Sequence, residues 1–263
     1  MIDTHCHILP GLDDGAQNLE QFLAMTEIAV QDGIRIIIAT PHVMAGAYDN
    51  SKEEIISAVQ QVNTILTEKE IPLKILPGAE YHIEPDLPRR MKQGELLTLN
   101  NNGRYLLVEF PSAYIPSYTE RILYELQLWG VTPVIAHPER NTAFAKKPSL
   151  LAQFVAKGMP TQVTAGSLTG SFGRQIQKTA LSFIKQSLVH MIVSDAHSSK
   201  ARRPVLSSAA AVVKKHFSEE VASKMVKDNP KSISSGNSIN LAEQKIRKNW
   251  SSIITNLFPQ RKA

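Results

Sequence analysis

Cysteine occurs once in these 263 residues, so no disulfide can form within the chain and a stapled scaffold is excluded. No apolar run approaches the roughly 18–20 residues of a membrane span. The opening MIDTHCHILPG has no basic leader region and puts imidazoles where a signal peptide would be apolar. Aromatic residues make up only 6% and do not alternate with basic ones, which argues against a nucleic-acid platform. No G-x-G-x-x-G loop follows the first strand-like run, which removes the signature of a dinucleotide site. Internal repeats, low-complexity tracts and linkers are also missing. The 43% of apolar residues excludes wholesale disorder and suffices for one large domain. The expectation is a single-domain, cytoplasmic protein.

The formal net charge of +5 is concentrated at the end of the chain. Between Lys245 and Ala263 there are five Lys or Arg residues and no acid. A basic tail is most often a solvated surface. We expect residues 236–263 to form a separate basic tail, helical or partly disordered, after a domain over 1–235.

Short β-branched runs alternate with amphipathic stretches. The predicted strands are Met1–His5, Arg35–Thr40, Leu73–Glu80, Tyr105–Phe110, Thr132–His137, Thr161–Ala165 and Val189–Ser194. They are short and mostly apolar, as buried parallel strands are. Helical spacing of apolar residues marks Asn18–Asp32, Lys52–Lys69, Tyr118–Trp129, Ser149–Lys157 and Arg174–Ser187. Seven strands in βα alternation predict an α/β fold closed into a barrel like the TIM barrel, with an open doubly wound sheet as the alternative the pattern leaves open. After Phe217 the pattern predicts helices without strands, packed outside. Gly166-Ser167-Leu168-Thr169-Gly170 is expected as a flexible loop.

The chemistry gathers at strand ends. The first strand runs into His5-Cys6-His7, and residues two apart on an extended chain face the same side. Asp13 and Asp14 follow, then His42, Glu80, Glu109 and His137 at successive strand ends, then Asp195-Ala196-His197. A lone His or Glu in such a place is ordinary. Six of seven strands ending this way is not, because the C-terminal ends of barrel strands converge on one face. So many imidazoles and carboxylates brought together without cations would repel each other. The donor set of nitrogen and oxygen without thiolate suits Mn²⁺, Fe²⁺ or Zn²⁺. About nine donors exceed what one tetrahedral ion uses, so two or three ions bridged by carboxylates are expected. Spacing alone leaves open whether Asp13 or Asp14 is a donor. Such centres acidify bound water and hold phosphate oxygens, which points to hydrolysis of a phosphate ester.

Arg140 follows His137 by three residues and Arg202 follows His197 by five. A guanidinium just past a metal donor on two neighbouring loops suits phosphate binding. Arg203 is read as a surface ion pair. Cys6, in a buried first strand, is read as an inert thiol rather than a nucleophile.

His5-x-His7, Asp13-Asp14-Gly15, Thr40-Pro41-His42, Gly78-x-Glu80, His137-Pro138-Glu139-Arg140 and Ser194-Asp195-Ala196-His197 together resemble the PHP (polymerase and histidinol phosphatase) superfamily. More closely, the chain resembles the manganese-dependent bacterial tyrosine-protein phosphatases encoded with capsule and exopolysaccharide genes, over residues 1–235. The resemblance implies a distorted seven-stranded barrel and two or three divalent ions, Mn²⁺ first. It implies His5, His7, Asp14, His42, Glu80, Glu109, His137, Asp195 and His197 as ligands, with Arg140 and Arg202 on the phosphate. It also implies phosphotyrosine substrates on a bacterial tyrosine kinase and on that kinase's targets. The alternatives are another PHP phosphoesterase, such as a histidinol-phosphate phosphatase, or a non-catalytic metal-binding regulator of a kinase. Tyr81-His82-Ile83 departs from the Ile-Arg-Ile often found there in that family.

Overall fold

The computed structural model describes residues 1–241; the basic stretch from Lys245 onward lies outside the described residues. The strands are β1 Ile2–Cys6, β2 Ile36–Ala39, β3 His42–Val43, β4 Lys74–Pro77, β5 Glu80–His82, β6 Tyr105–Glu109, β7 Thr132–Ile135, β8 Gln162–Thr164 and β9 Met191–Val193. The helices are α1 Leu19–Gln31, α2 Lys52–Glu68, α3 Leu87–Lys92, α4 Thr119–Leu128, α5 Thr142–Lys146, α6 Pro148–Ala156, α7 Ala165–Thr169, α8 Arg174–Lys185, α9 Ser207–His216, α10 Glu219–Ser223 and α11 Asn229–Ser234. A π-helical turn, Lys224–Asp228, joins α10 to α11.

All strand pairs between named strands are parallel. They form three sheets, β1-β2-β4, β3-β5-β6-β7 and β8-β9, rather than one continuous seven-stranded sheet. Isolated parallel bridges link Ile135 to Thr161 and Cys6 to Ala196. The difference from expectation has a local cause: a short extra strand, β3, follows the second predicted strand past Pro41, and the third predicted strand breaks in two. Pro41 lacks the N–H that a continuous ladder needs. At Gly78 the backbone passes so close to β2 that a Cβ would meet Ile38 Cγ2 at 2.7 Å and Ala39 O at 3.2 Å. The chain then steps sideways, and Glu80 N–H donates to Pro41 O at 3.0 Å to start the next sheet.

Period-two alternation sorts the strand residues. Tyr105 and Leu107 of β6, Val134 and Ala136 of or beside β7, Met191 and Val193 of β9 and Ile38 of β2 share one buried cluster. Their neighbours Leu106, Val108, Ile135, Ile192 and Ile37 belong to the larger core beneath the helices. Glu109 and Asp195 come next in the first alternation, which is how two acids reach the end of an apolar interior. Ile233 of α11 closes the cluster near the start of β6, where Tyr105 OH donates to Asn237 O at 2.9 Å. The opposite end is left for polar chemistry.

Helix starts follow their caps. Ser51 and Glu54 form a capping box on α2, and Asn18 caps α1 through Gln21 N–H. The expected loop after the sixth predicted strand is instead α7. Thr164 accepts from Ser167 N–H at its start, and Gly170, at φ +87°, ends it.

Candidate metal centre

His5 and His7 stand at and just beyond the end of β1, and their side chains meet. The two Nε2 atoms are 3.2 Å apart. Cys6, between them, packs into the core instead. Each imidazole is oriented from behind. His5 Nδ1 donates to Gln162 Oε1 at 3.2 Å, and Gln162 Nε2 donates to Thr4 Oγ1 at 2.9 Å. His7 Nδ1 donates to Asp13 Oδ2 at 2.6 Å. With both Nδ1 atoms donating, both Nε2 lone pairs point at the same space.

Two carboxylates enter that space. Glu80 Oε2 lies 3.2 Å from His5 Nε2, 3.4 Å from His7 Nε2 and 3.2 Å from His42 Nδ1. Asp195 Oδ1 lies 3.5 Å from His5 Nε2 and 3.4 Å from His7 Nε2. Asp14 Oδ1 approaches His197 Nε2 at 3.3 Å and His42 Nε2 at 3.7 Å. His137 Nε2 sits 3.1 Å from Glu80 Oε1 and 3.6 Å from Glu109 Oε1. All nine sequence-predicted metal residues are therefore neighbours in one network. Three groupings have donor atoms close enough to share an ion: His7, Asp14, His42 and His197; His5, His7 and Glu80; His42, Glu80 and Glu109.

The geometry separates the two adjacent aspartates. Asp13 is buried, and beyond His7 it accepts from His42 N–H at 3.0 Å and from Gly15 N–H at 2.9 Å. Its oxygens are committed to holding other groups. Asp14 is half exposed and faces two imidazoles. Gly15 permits this loop. A Cβ there would meet His7 O at 2.0 Å, and the next residue, Ala16, donates its N–H to that oxygen at 3.1 Å. His137 and Asp195 adopt positive φ, +26° and +49°, which is rare outside glycine and is typical of strain held at functional sites.

The electrostatics are those of a cation site. Burial opposes charge on His7, but the hydrogen bond to Asp13 and the close carboxylates of Asp195 and Glu80 outweigh it and lift its pKa well above the usual value. Burial likewise opposes ionisation of Glu80 and Asp195, yet surrounding histidines, His5 foremost, hold both well below the carboxylate range. His197 goes the other way: burial and then the positive charge of His7 push it down to about 3. With protons alone, then, some rings are forced cationic and others neutral within a few ångströms. Glu80 Oε2 receives no hydrogen bond despite three nitrogens around it. A buried carboxylate oxygen without a donor, facing imidazole lone pairs, fits a divalent ion.

Arg140 and Arg202 come from different loops and converge on one atom, Asp195 Oδ2. Arg202 Nε is buried and has no partner. Arg203, read as a surface residue, is exposed. His82, the departure noted above, lies 3.9 Å from Glu109 Oε2, and that carboxylate raises its pKa.

Four residues near the centre escape a reading of the sequence. Gln162 orients His5. Glu139 is buried, and its Oε1 accepts from Thr164 N–H, Thr164 Oγ1 and Ser167 Oγ, tying the Arg140 loop to β8 and α7. Tyr48 stacks on the His42 ring at 5.6 Å. Phe172 lies under the Arg140 guanidinium at 5.4 Å. For the first two a signal existed: a glutamine within an apolar strand, and an acid between a candidate ligand and an arginine.

Residues 1–235 match the family described as capsular polysaccharide synthesis, CpsB/CapC. The tyrosine-protein phosphatase YwqE of Bacillus subtilis is 43% identical over 221 residues, which cover 84% of this chain and 87% of that protein. A putative tyrosine-protein phosphatase, CapC of Staphylococcus aureus, is 38% identical over 75% of this chain and 77% of its own. Among solved structures, one from a study of YwqE from B. subtilis and CpsB from Streptococcus pneumoniae, described as metal-dependent tyrosine phosphatases, superposes with a TM-score of 0.87. It is 41% identical and covers 91% of this chain and 96% of that one.

Proposed function

Because the chain belongs to the CpsB/CapC family of capsular polysaccharide synthesis, we propose that it is a metal-dependent protein-tyrosine phosphatase. Its substrates are phosphotyrosines on a bacterial tyrosine kinase and on that kinase's targets in capsule or exopolysaccharide synthesis, in the cytoplasm. We read the three parallel sheets, with their two linking bridges, as a distorted seven-stranded barrel of the PHP type. The ligands are His5, His7, Asp14, His42, Glu80, Glu109, His137, Asp195 and His197, holding two or three ions, Mn²⁺ first among them.

One observation carries the reading. Among the buried polar atoms without partners around the site, two are opposite in kind: the acceptor Glu80 Oε2 and the donor Arg202 Nε. The first suits a cation and the second an anion, so the site suits a metal ion and a phosphate together. Bound divalent ions supply Lewis acidity toward phosphate oxygens and acidify coordinated water. The chain's own residues do the rest. Asp195 takes one N–H from each of Arg140 and Arg202, which fixes both forks and leaves further donors, including Arg202 Nε, for phosphate oxygens. Asp13 and Gln162 keep the His7 and His5 rings turned to the centre. Among the described residues no side chain competes as nucleophile. Cys6 is fully buried, and burial followed by the charge of Asp3 raises its thiol well above the normal range.

The test is phosphate release from a phosphotyrosine peptide, beside a phosphoserine peptide and histidinol phosphate, using chelator-stripped protein reloaded with Mn²⁺. Turnover confined to phosphotyrosine and dependent on the metal is expected. Preference for histidinol phosphate, or no turnover by metal-loaded protein, refutes the assignment.

A further inference from the structure

Beside the paired arginines is a cavity of about 360 Å³ that the proposed chemistry does not use. It lies between the α7–α8 turn and the loop from Ala201 into α9. Arg202, Arg203, Ser194 and Ser208 line it, and Phe172 supplies a ring. Phe172 is 36% exposed, one of few large apolar side chains left facing solvent among the described residues.

The ring is held firmly for a surface residue. Its edge lies over Gly166, where a Cβ would sit 2.8 Å from Phe172 Cε2, so the ring rests directly on backbone. The Arg140 guanidinium is 5.4 Å from its centroid. Gly170 and Gly173, both at positive φ, turn the chain sharply on either side. Phe172 is thus one guanidinium away from the carboxylate that anchors both arginines. An ester whose phosphate is held by Arg140 and Arg202 can direct its leaving group into this cavity.

We propose that this cavity is the leaving-group subsite, that it takes an aromatic ring, and that Phe172 is the residue determining that specificity. The inference rests on the phosphatase reading and deepens it. Phe172 offers a flat apolar face for offset or edge-to-face contact, and Arg202 and Ser208 also line the cavity. An aliphatic phosphate such as phosphoserine fills no such space.

Inorganic phosphate occupies the arginine and metal part alone, whereas a phosphotyrosine peptide uses the cavity as well. The experiment compares KM for that peptide with Ki for inorganic phosphate, on Mn²⁺-loaded protein. Phe172→Leu should raise KM about 3- to 10-fold, the range expected for loss of one aromatic pair. Ki should stay within twofold, and Phe172→Tyr should restore KM. Ser208→Trp, an exposed change that fills the cavity, should raise KM in the same way. If KM and Ki rise together in Phe172→Leu, the ring acts by positioning Arg140 and the subsite is refuted. If KM does not move in either variant, the ring binds elsewhere and the subsite is likewise refuted. Wild-type protein that turns over no phosphotyrosine refutes the phosphatase reading and this subsite with it; turnover indifferent to Phe172 refutes the subsite alone.

Discussion

Replacing Asp13 by Asn tests whether the adjacent acids divide their work as the geometry says. Asp13 binds three donors: His7 Nδ1 at 2.6 Å and His42 N–H at 3.0 Å through Oδ2, and Gly15 N–H at 2.9 Å through Oδ1. An amide has one acceptor oxygen. If that oxygen faces Gly15, the NH₂ group meets both the His7 and the His42 donors. If it faces His7 and His42, the NH₂ meets Gly15 N–H. Either way at least one buried donor is stranded, and the negative charge behind His7 is lost. Second-layer carboxylates behind metal-bound imidazoles typically contribute about 10–100-fold in affinity, which equals about 1.4–2.7 kcal/mol. We expect a loss of that size, read by competition against a chelator of known affinity, with the fold intact by circular dichroism. Asp14→Asn, which removes a donor atom outright, should lose more. Affinity within twofold of wild type for Asp13→Asn, or a larger loss there than at Asp14, would refute the division of roles.

Other expectations follow from the same structure. Arg140→Ala should lower turnover about 10²–10³-fold, as loss of one positioned donor does, with metal content unchanged; equal loss of both would make Arg140 structural. Cys6→Ser should retain most activity, and an inactive, folded, metal-loaded variant would reinstate a thiol mechanism. Gly15→Ala should disrupt metal loading, because the new methyl meets backbone at 2.0 Å rather than a movable side chain; normal metal content would show that the loop relaxes. His190 gives a pH prediction away from the site. Its Nδ1 accepts from Thr161 N–H at 3.1 Å, and burial, then Lys224, push its pKa down to about 4. The folded state keeps it neutral while the unfolded chain protonates near 6.5, so its contribution is present above that pH and fades as pH falls toward 4. Urea unfolding of wild type and His190→Gln at pH 7.5 and 5.0 should show about 2 kcal/mol more loss in wild type; parallel curves would refute it.

The clustering of the candidate donors was legible because they recur at strand ends, and strand parity places His5 with His7 whatever the strand's exact bounds. The pairing of β3 with β5 was not legible. It depends on how closely β4 approaches β2 at Gly78, and that is a property of two segments, not one. Likewise Asp13 and Asp14 are identical in spacing to any donor pattern. They differ only in what each meets: Asp13 holds the His7 ring and two backbone N–H groups, while the half-exposed Asp14 faces His42 and His197. α7 was misread as a loop although Thr164 and Gly170 carried ordinary cap chemistry, since glycines at both ends suggested flexibility. Phe172 was silent in sequence because nothing nearby in the chain announces its contact with Arg140.

The meeting of Cys6 with Ala196, 190 positions apart, also sets a schedule. A ribosome adds about 5–20 residues per second, so β1 emerges some ~10–40 s before its last neighbour exists. During that interval His5 and His7 are already made while Asp195 and His197 are not. The nascent chain therefore carries its first candidate donors beside an unpaired strand edge until β9 is made. Slower synthesis lengthens the time that edge stays unpaired, from about 10 s toward about 40 s.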